Sequence, residues 1–139
     1  MADTQPDWSA RALLPPNDRA PAAARRLVST LLVAWGYADQ VELAELVVSE
    51  LVSNAVRHAG DCGDLEIELS GDVDLIRLRV ADGSPEHPII RPDPTGARPG
   101  LGLQLIEQVS ARWGVEDYLF GKRVWVDLAT ATTAAPAPA

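Results

Sequence analysis

Three groups of residues in this 139-residue chain have types and spacings that could do chemistry. The first is Glu50, Asn54 and His58, each four residues after the last. On a helix of about 3.6 residues per turn, that spacing stacks them along one side. Around them Leu43, Ala44, Val47, Val48, Leu51, Val52 and Ala55 make an apolar arc, while Glu42, Glu45, Ser49, Ser53 and Arg57 fill the opposite side. Asn54 and His58 fall inside the arc and Glu50 on its edge. An unpaired polar group buried there costs roughly 2–7 kcal/mol, so each needs a partner. A ligand could supply it; so could backbone groups satisfying an ordinary core Asn and His.

The second group is Asp82-Gly83. Ile76, Leu78 and Val80 alternate with Arg77 and Arg79, and Asp82 shares the apolar parity, so its carboxylate points inward at a strand end. It needs a hydrogen-bond donor from the protein or from a ligand. The other reading is a plain Asp-Gly turn. The third group is Gly100-Leu101-Gly102-Leu103, at the start of a helix in which Leu105, Ile106, Val109 and Trp113 form the apolar stripe. Glycines at a helix N-terminus let the backbone approach a phosphate and aim N–H groups at it, although glycine before a helix is common. Neither a P-loop nor a dinucleotide fingerprint is present.

The elements that must position these groups can be placed in order. Trp8 to Leu14 suits a short strand closed by Pro15-Pro16. A helix begins near Asn17-Asp18, tolerates Pro21 in its first turn and stops at Gly36. Asp39 is expected to cap the central helix, which ends at Gly60. A hairpin follows; if Gly71-Asp72 is its two-residue loop, Glu66 faces Arg77, Asp64 faces Arg79, Ile67 faces Ile76 and Leu65 faces Leu78. The charges of that hairpin suit a solvated face. Residues 84–99 hold five of the chain's eleven prolines and read as a long loop. Strands are expected at Val115–Phe120 and around Val124, Val126 and Leu128, joined by a turn at Gly121-Lys122.

Composition excludes several function classes. A net charge of −8 argues against a nucleic-acid binder, whose affinity comes largely from neutralised phosphates. The single cysteine, Cys62, excludes an internal disulfide and a multi-cysteine zinc site. No apolar run approaches the ~20 residues of a membrane span, and Met1–Pro6 does not read as a signal peptide. The expectation is a cytoplasmic protein with one domain over residues 8–128 and flexible termini at 1–7 and 129–139.

The order of the three groups resembles the GHKL (Bergerat-fold) ATPase superfamily. The stretch Ser49-Glu-Leu-Val-Ser-Asn-Ala-Val-Arg-His58 and the close Gly121-Lys-Arg-Val-Trp125 are similar to its small single-domain branch, the bacterial anti-sigma-factor serine kinases. The resemblance implies an α+β two-layer sandwich, a mixed and mostly antiparallel sheet with helices on one face, and ATP held between the layers. It implies that Asn54 holds Mg²⁺, that Asp82 accepts a hydrogen bond from the adenine amino group and that Gly83 lets the base lie close. Residues 84–99 become a lid, with Arg98, Gly100, Leu101, Gly102 and Leu103 at the nucleotide, and Arg91 as a further lid cation. Glu50 becomes the general base for an attacking hydroxyl, and His58 a support for the helix end.

The implied activity is a serine/threonine protein kinase that sequesters a sigma factor and phosphorylates its antagonist, with no direct nucleic-acid or membrane partner and a homodimer left open. The sequence departs from the superfamily pattern at Pro85, where a second glycine would lie, and at Leu101, where the branch often carries a polar residue. The shortened glycine pattern favours a nucleotide-sensing module without useful kinase activity, whereas Glu50 favours the kinase. A third reading is a detached ATPase domain that works with a separate histidine-containing partner.

Overall fold

The computed structural model describes residues 8–59, 63–83, 101–119 and 121–130. The alternating stretches form five strands: β1 (Trp8–Leu14), β2 (Leu65–Gly71), β3 (Leu75–Asp82), β4 (Arg112–Tyr118) and β5 (Gly121–Ala129). They make one sheet in the order β1-β2-β3-β5-β4, and every ladder among the described residues is antiparallel. Leu65, Ile67, Leu69, Ile76, Leu78, Val80, Val124, Val126 and Leu128 turn one way and are buried. That face is covered by α1 (Ala20–Ala34), α2 (Val41–Ala59) and α3 (Leu101–Val109). This is the α+β two-layer arrangement expected, with the core between sheet and helices.

α1 buries Ala20, Ala24, Val28 and Leu32, a stripe at helical spacing, and packs along α2. It starts after Asn17, whose side-chain oxygen accepts the Arg19 N–H at 2.9 Å, and carries Pro21 in its first turn. It ends where Gly36 takes φ +91°, a conformation that suits a residue without Cβ. There the Tyr37 N–H donates to the Leu32 carbonyl at 2.7 Å. Asp39 does not stand at a helix boundary. It lies within a 3-10 turn, Ala38–Gln40, that runs straight into α2. No helix among the described residues is long and apolar enough to cross a membrane.

The hairpin register differs from the one expected. Ile67 pairs with Val80, Leu69 with Leu78 and Glu68 with Arg79. The turn is longer than Gly71-Asp72, because Asp72 Oδ1 accepts the N–H groups of Asp74 (2.8 Å) and Leu75 (3.0 Å) and holds residues 72–74 out of the ladder. The slip is an even number of residues, so every side chain keeps its face. The last hairpin also differs. Tyr118 pairs with Gly121, Leu119 after it has φ +54°, and Gly121 and Lys122 belong to β5 rather than to a turn. Trp113 leaves the helical stripe because α3 stops at Val109; it pairs with Val126 inside β4.

Candidate functional site

The site is built at one end of the sheet. Asp82 closes β3 on the core face, as its parity requires, and is buried. Directly across the β3–β5 ladder stands Lys122, on the same side as Val124, Val126 and Leu128. Its ammonium donates to Asp82 Oδ1 at 2.9 Å, and the two side chains are only 5% and 3% exposed. Beside the pair, β5 begins at Gly121, whose absent Cβ would lie 2.6 Å from Gly83 Cα. Only glycine lets the two chain segments approach this closely. Asp82, Gly83, Gly121 and Lys122 are therefore one packed unit.

α2 supplies the other wall. The Tyr37 hydroxyl donates to the Asp72 carbonyl, and the Gln40 N–H donates to the Tyr37 carbonyl at 2.9 Å, which ties the start of α2 to the β2–β3 turn. From that anchor α2 runs over β3. Its 19 residues span about 28 Å and the eight of β3 about 26 Å. The C-terminal half of α2, with Asn54, is thereby carried toward the Asp82 end.

Val47, Val48, Leu51, Val52 and Ala55 are buried as the wheel requires. Asn54 is not inside that arc, however. It is half-buried on the rim, as is Glu50 one turn before it. A rim position keeps an amide and a carboxylate within reach of water or ligand, which avoids the desolvation a core position would impose. The Asn54 side-chain oxygen accepts a hydrogen bond from Arg57 Nη2, three residues on along the helix. Ser49, on the α1 side of α2, accepts from Arg25 Nη1 at 2.9 Å and so joins the two helices.

Leu101, Gly102 and Leu103 form the first turn of α3, which packs against α2 and β4. Arg91, Arg98, Gly100 and the expected lid at 84–99 lie outside the described residues, as do Cys62 and the side chains of His58, Leu101 and Leu103. The structure thus brings Asp82 and Gly83 together and sets Glu50 and Asn54 on one helix rim.

Lys122, Gly121, Arg57 and Asp127 are the residues that sequence reasoning missed. Lys122 alternates with three valine or leucine positions, so an inward lysine was legible once its strand was placed beside the inward Asp82. Asp127 sits on the opposite face of the sheet and is fully buried. Arg77 Nη2 donates to its Oδ2 at 2.7 Å and Arg112 Nη2 to the same oxygen at 3.1 Å. That bonding to Asp127 raises the Arg77 pKa, while burial lowers that of neighbouring Arg79.

A cleft of about 460 Å³ opens on this outer face between Ser70, Arg79 and Arg112. Three arginines and three acids line it, so its charges balance, and it lies across the sheet from Asp82. Nearby the Tyr118 hydroxyl donates to Glu66 at 3.0 Å, which raises the phenol pKa.

Against known proteins, the family model described as histidine kinase-, DNA gyrase B-, and HSP90-like ATPase matches residues 38–133. No curated protein matches the chain. The matched span contains Glu50, Asn54, Asp82, Gly102 and Lys122.

Proposed function

The chain belongs to the histidine kinase-, DNA gyrase B-, and HSP90-like ATPase family, which implies ATP binding, and we propose that within it this protein is a serine/threonine kinase of the anti-sigma-factor type. In this reading it sequesters a sigma factor and phosphorylates that factor's antagonist in the cytoplasm. In this reading the ATP-binding unit spans residues 8–128, supported by the pairing of β1 with β2 and the packing of α1 on α2, which join residues before the matched span to elements inside it. The observation that carries the kinase reading is Glu50, half-buried on the rim of α2 one turn before Asn54. In this reading that carboxylate takes a proton at the phosphate end of a nucleotide whose base lies at Asp82.

The residues present fit the group. Asp82 offers a buried acceptor, Gly83 a side-chain-free surface, and the α3 start the N–H groups of a helix's first turn for phosphate. Asn54 offers an amide oxygen, a ligand type that Mg²⁺ accepts. Among the described residues no three His, Cys, Asp or Glu side chains converge. In this reading the metal takes its other oxygens from phosphate and water. ATP supplies the phosphoryl group and Mg²⁺ part of the charge that stabilises its transfer. The Asn54 oxygen that would hold the metal is the one to which Arg57 Nη2 donates.

The test is incubation with labelled ATP, Mg²⁺ and candidate antagonists, with the phosphorylated serine mapped. Glu50→Gln is expected to keep ATP affinity and lose transfer by roughly 10²–10⁴-fold. Equal transfer by wild type and variant removes Glu50 from the role of base. The second reading is a nucleotide-sensing module without useful kinase activity, favoured by Pro85 in the glycine pattern. A wild type that binds ATP yet transfers phosphate to no candidate supports it.

A further inference from the structure

Lys122 is a buried cation that the kinase reading leaves without a task. We propose that Lys122 is a specificity residue, donating to the N1 ring nitrogen of adenine while Asp82 accepts from the 6-amino group. The inference rests on the reading of Asp82 as the adenine acceptor.

Its argument is one of complementary edges. β3 and β5 pair Asp82 directly with Lys122, and the two side chains meet at 2.9 Å on the core face. Acceptor and donor therefore stand side by side at the sheet end. The Watson–Crick edge of adenine presents a donor, the 6-amino group, next to an acceptor, N1. An ammonium carries three donors, and one of them is used on Asp82 Oδ1. A carboxylate has room for more than one hydrogen bond. Lysine and aspartate can thus bind each other and the base together.

Guanine entering in the same orientation meets two mismatches, its carbonyl oxygen against the carboxylate and its N1–H against the ammonium. With Asp82 alone there would be one. Lys122 also fixes the carboxylate in place, because the β5 backbone at Gly121 is packed against Gly83 and cannot shift independently of β3.

Base analogues separate the two contacts. ATP, 1-deaza-ATP, in which a C–H replaces N1, and purine riboside triphosphate, which lacks the 6-amino group, are titrated calorimetrically into wild type and Lys122→Met. Wild type is expected to bind 1-deaza-ATP roughly tenfold or more weakly than ATP, as befits loss of a bond from a charged donor. In Lys122→Met the ratio between ATP and 1-deaza-ATP is expected to collapse toward one, while the ratio between ATP and the purine analogue persists.

A wild type that binds ATP and 1-deaza-ATP equally overturns the proposal and leaves the Asp82 reading to be judged by the purine analogue. So does a Lys122→Met protein that keeps the wild-type ratio. Circular dichroism and a thermal melt check that the variant folds. If it does not, the wild-type analogue ratio still decides. A folded wild type that binds no adenine nucleotide overturns the reading beneath the proposal, and the proposal with it.

Discussion

Two aspartates on adjacent strands, Asp82 and Asp127, are both buried, and they are buried differently. Asp127 is on the outer face, 0% exposed, and bonded to the guanidinium groups of Arg77 and Arg112. Those bonds tie β3, β4 and β5 together across the face away from the helices. Arg77 also lies over the Trp125 ring at 4.7 Å, which fixes one fork from above. Asp82 is on the core face at a strand end, opposite a lysine, with glycine on either side of the chain crossing. A planar guanidinium matches a carboxylate's geometry and fixes it, whereas an ammonium is a point charge that can be shared. Burial alone therefore does not mark the functional carboxylate. Its face, its place at the strand end and the kind of cation beside it do.

The largest expected effect tests the structural member of the pair. Asp127→Ala takes the shared acceptor from two partly exposed arginines, and the unfolding free energy should fall by about 2–3 kcal/mol in a urea titration. Nucleotide affinity of the folded protein should stay within about twofold, because the two sites are on opposite faces. A large loss of affinity without loss of stability would reverse the two assignments.

Asp82→Asn tests the functional member. The amide can still accept from Lys122 but turns its NH₂ toward the adenine amino group. ATP affinity is expected to fall by roughly 1.5–3 kcal/mol, tenfold to a hundredfold, by calorimetry. Stability should fall as well, though less than in Asp127→Ala, since Asn keeps a hydrogen bond to the lysine. If stability falls as far and affinity does not change, both aspartates are structural and the contrast is lost.

The smallest effect concerns the hairpin that delivers Lys122. Leu119 has φ +54° and is 80% exposed, so its side chain gains little from packing while its backbone is held in the left-handed region. Leu119→Gly should raise stability by up to about 1 kcal/mol, seen as a higher melting midpoint, with ATP affinity unchanged. A lower midpoint would mean that the leucine contributes packing beyond what its exposure indicates.

Much of this was legible in the chain because parity survives errors of register. The expected β2–β3 pairing was wrong by an even step, since Asp72 organises a longer turn, yet Asp82 still faced inward. The α2 arc was legible from Val47 to Ala55. Glu50 was read at its edge, where it lies, but Asn54 was read inside it, because a wheel cannot tell an Asn near the edge of an arc from one within it until the neighbouring layer is in place.

Lys122 escaped because Gly121-Lys122 looks like a turn dipeptide. Only the ladder, with Tyr118 opposite Gly121, moves both residues into β5. Asp127 escaped because alternation puts it on the polar face. Alternation says nothing of the arginines that close over it from β3 and β4. Trp113 escaped for a related reason: its helical spacing from Val109 is accidental, and Gly114 beside it is a strand position covered by the Trp125 indole.

The central claim is that the Asp82 end of the sheet reads adenine, and one measurement meets it most directly. Wild-type protein is titrated calorimetrically with ATP and with GTP in the presence of Mg²⁺. Adenine places a donor against the Asp82 carboxylate where guanine places a carbonyl oxygen, so ATP is expected to bind at least about tenfold more tightly. Equal affinities for the two nucleotides would contradict the account.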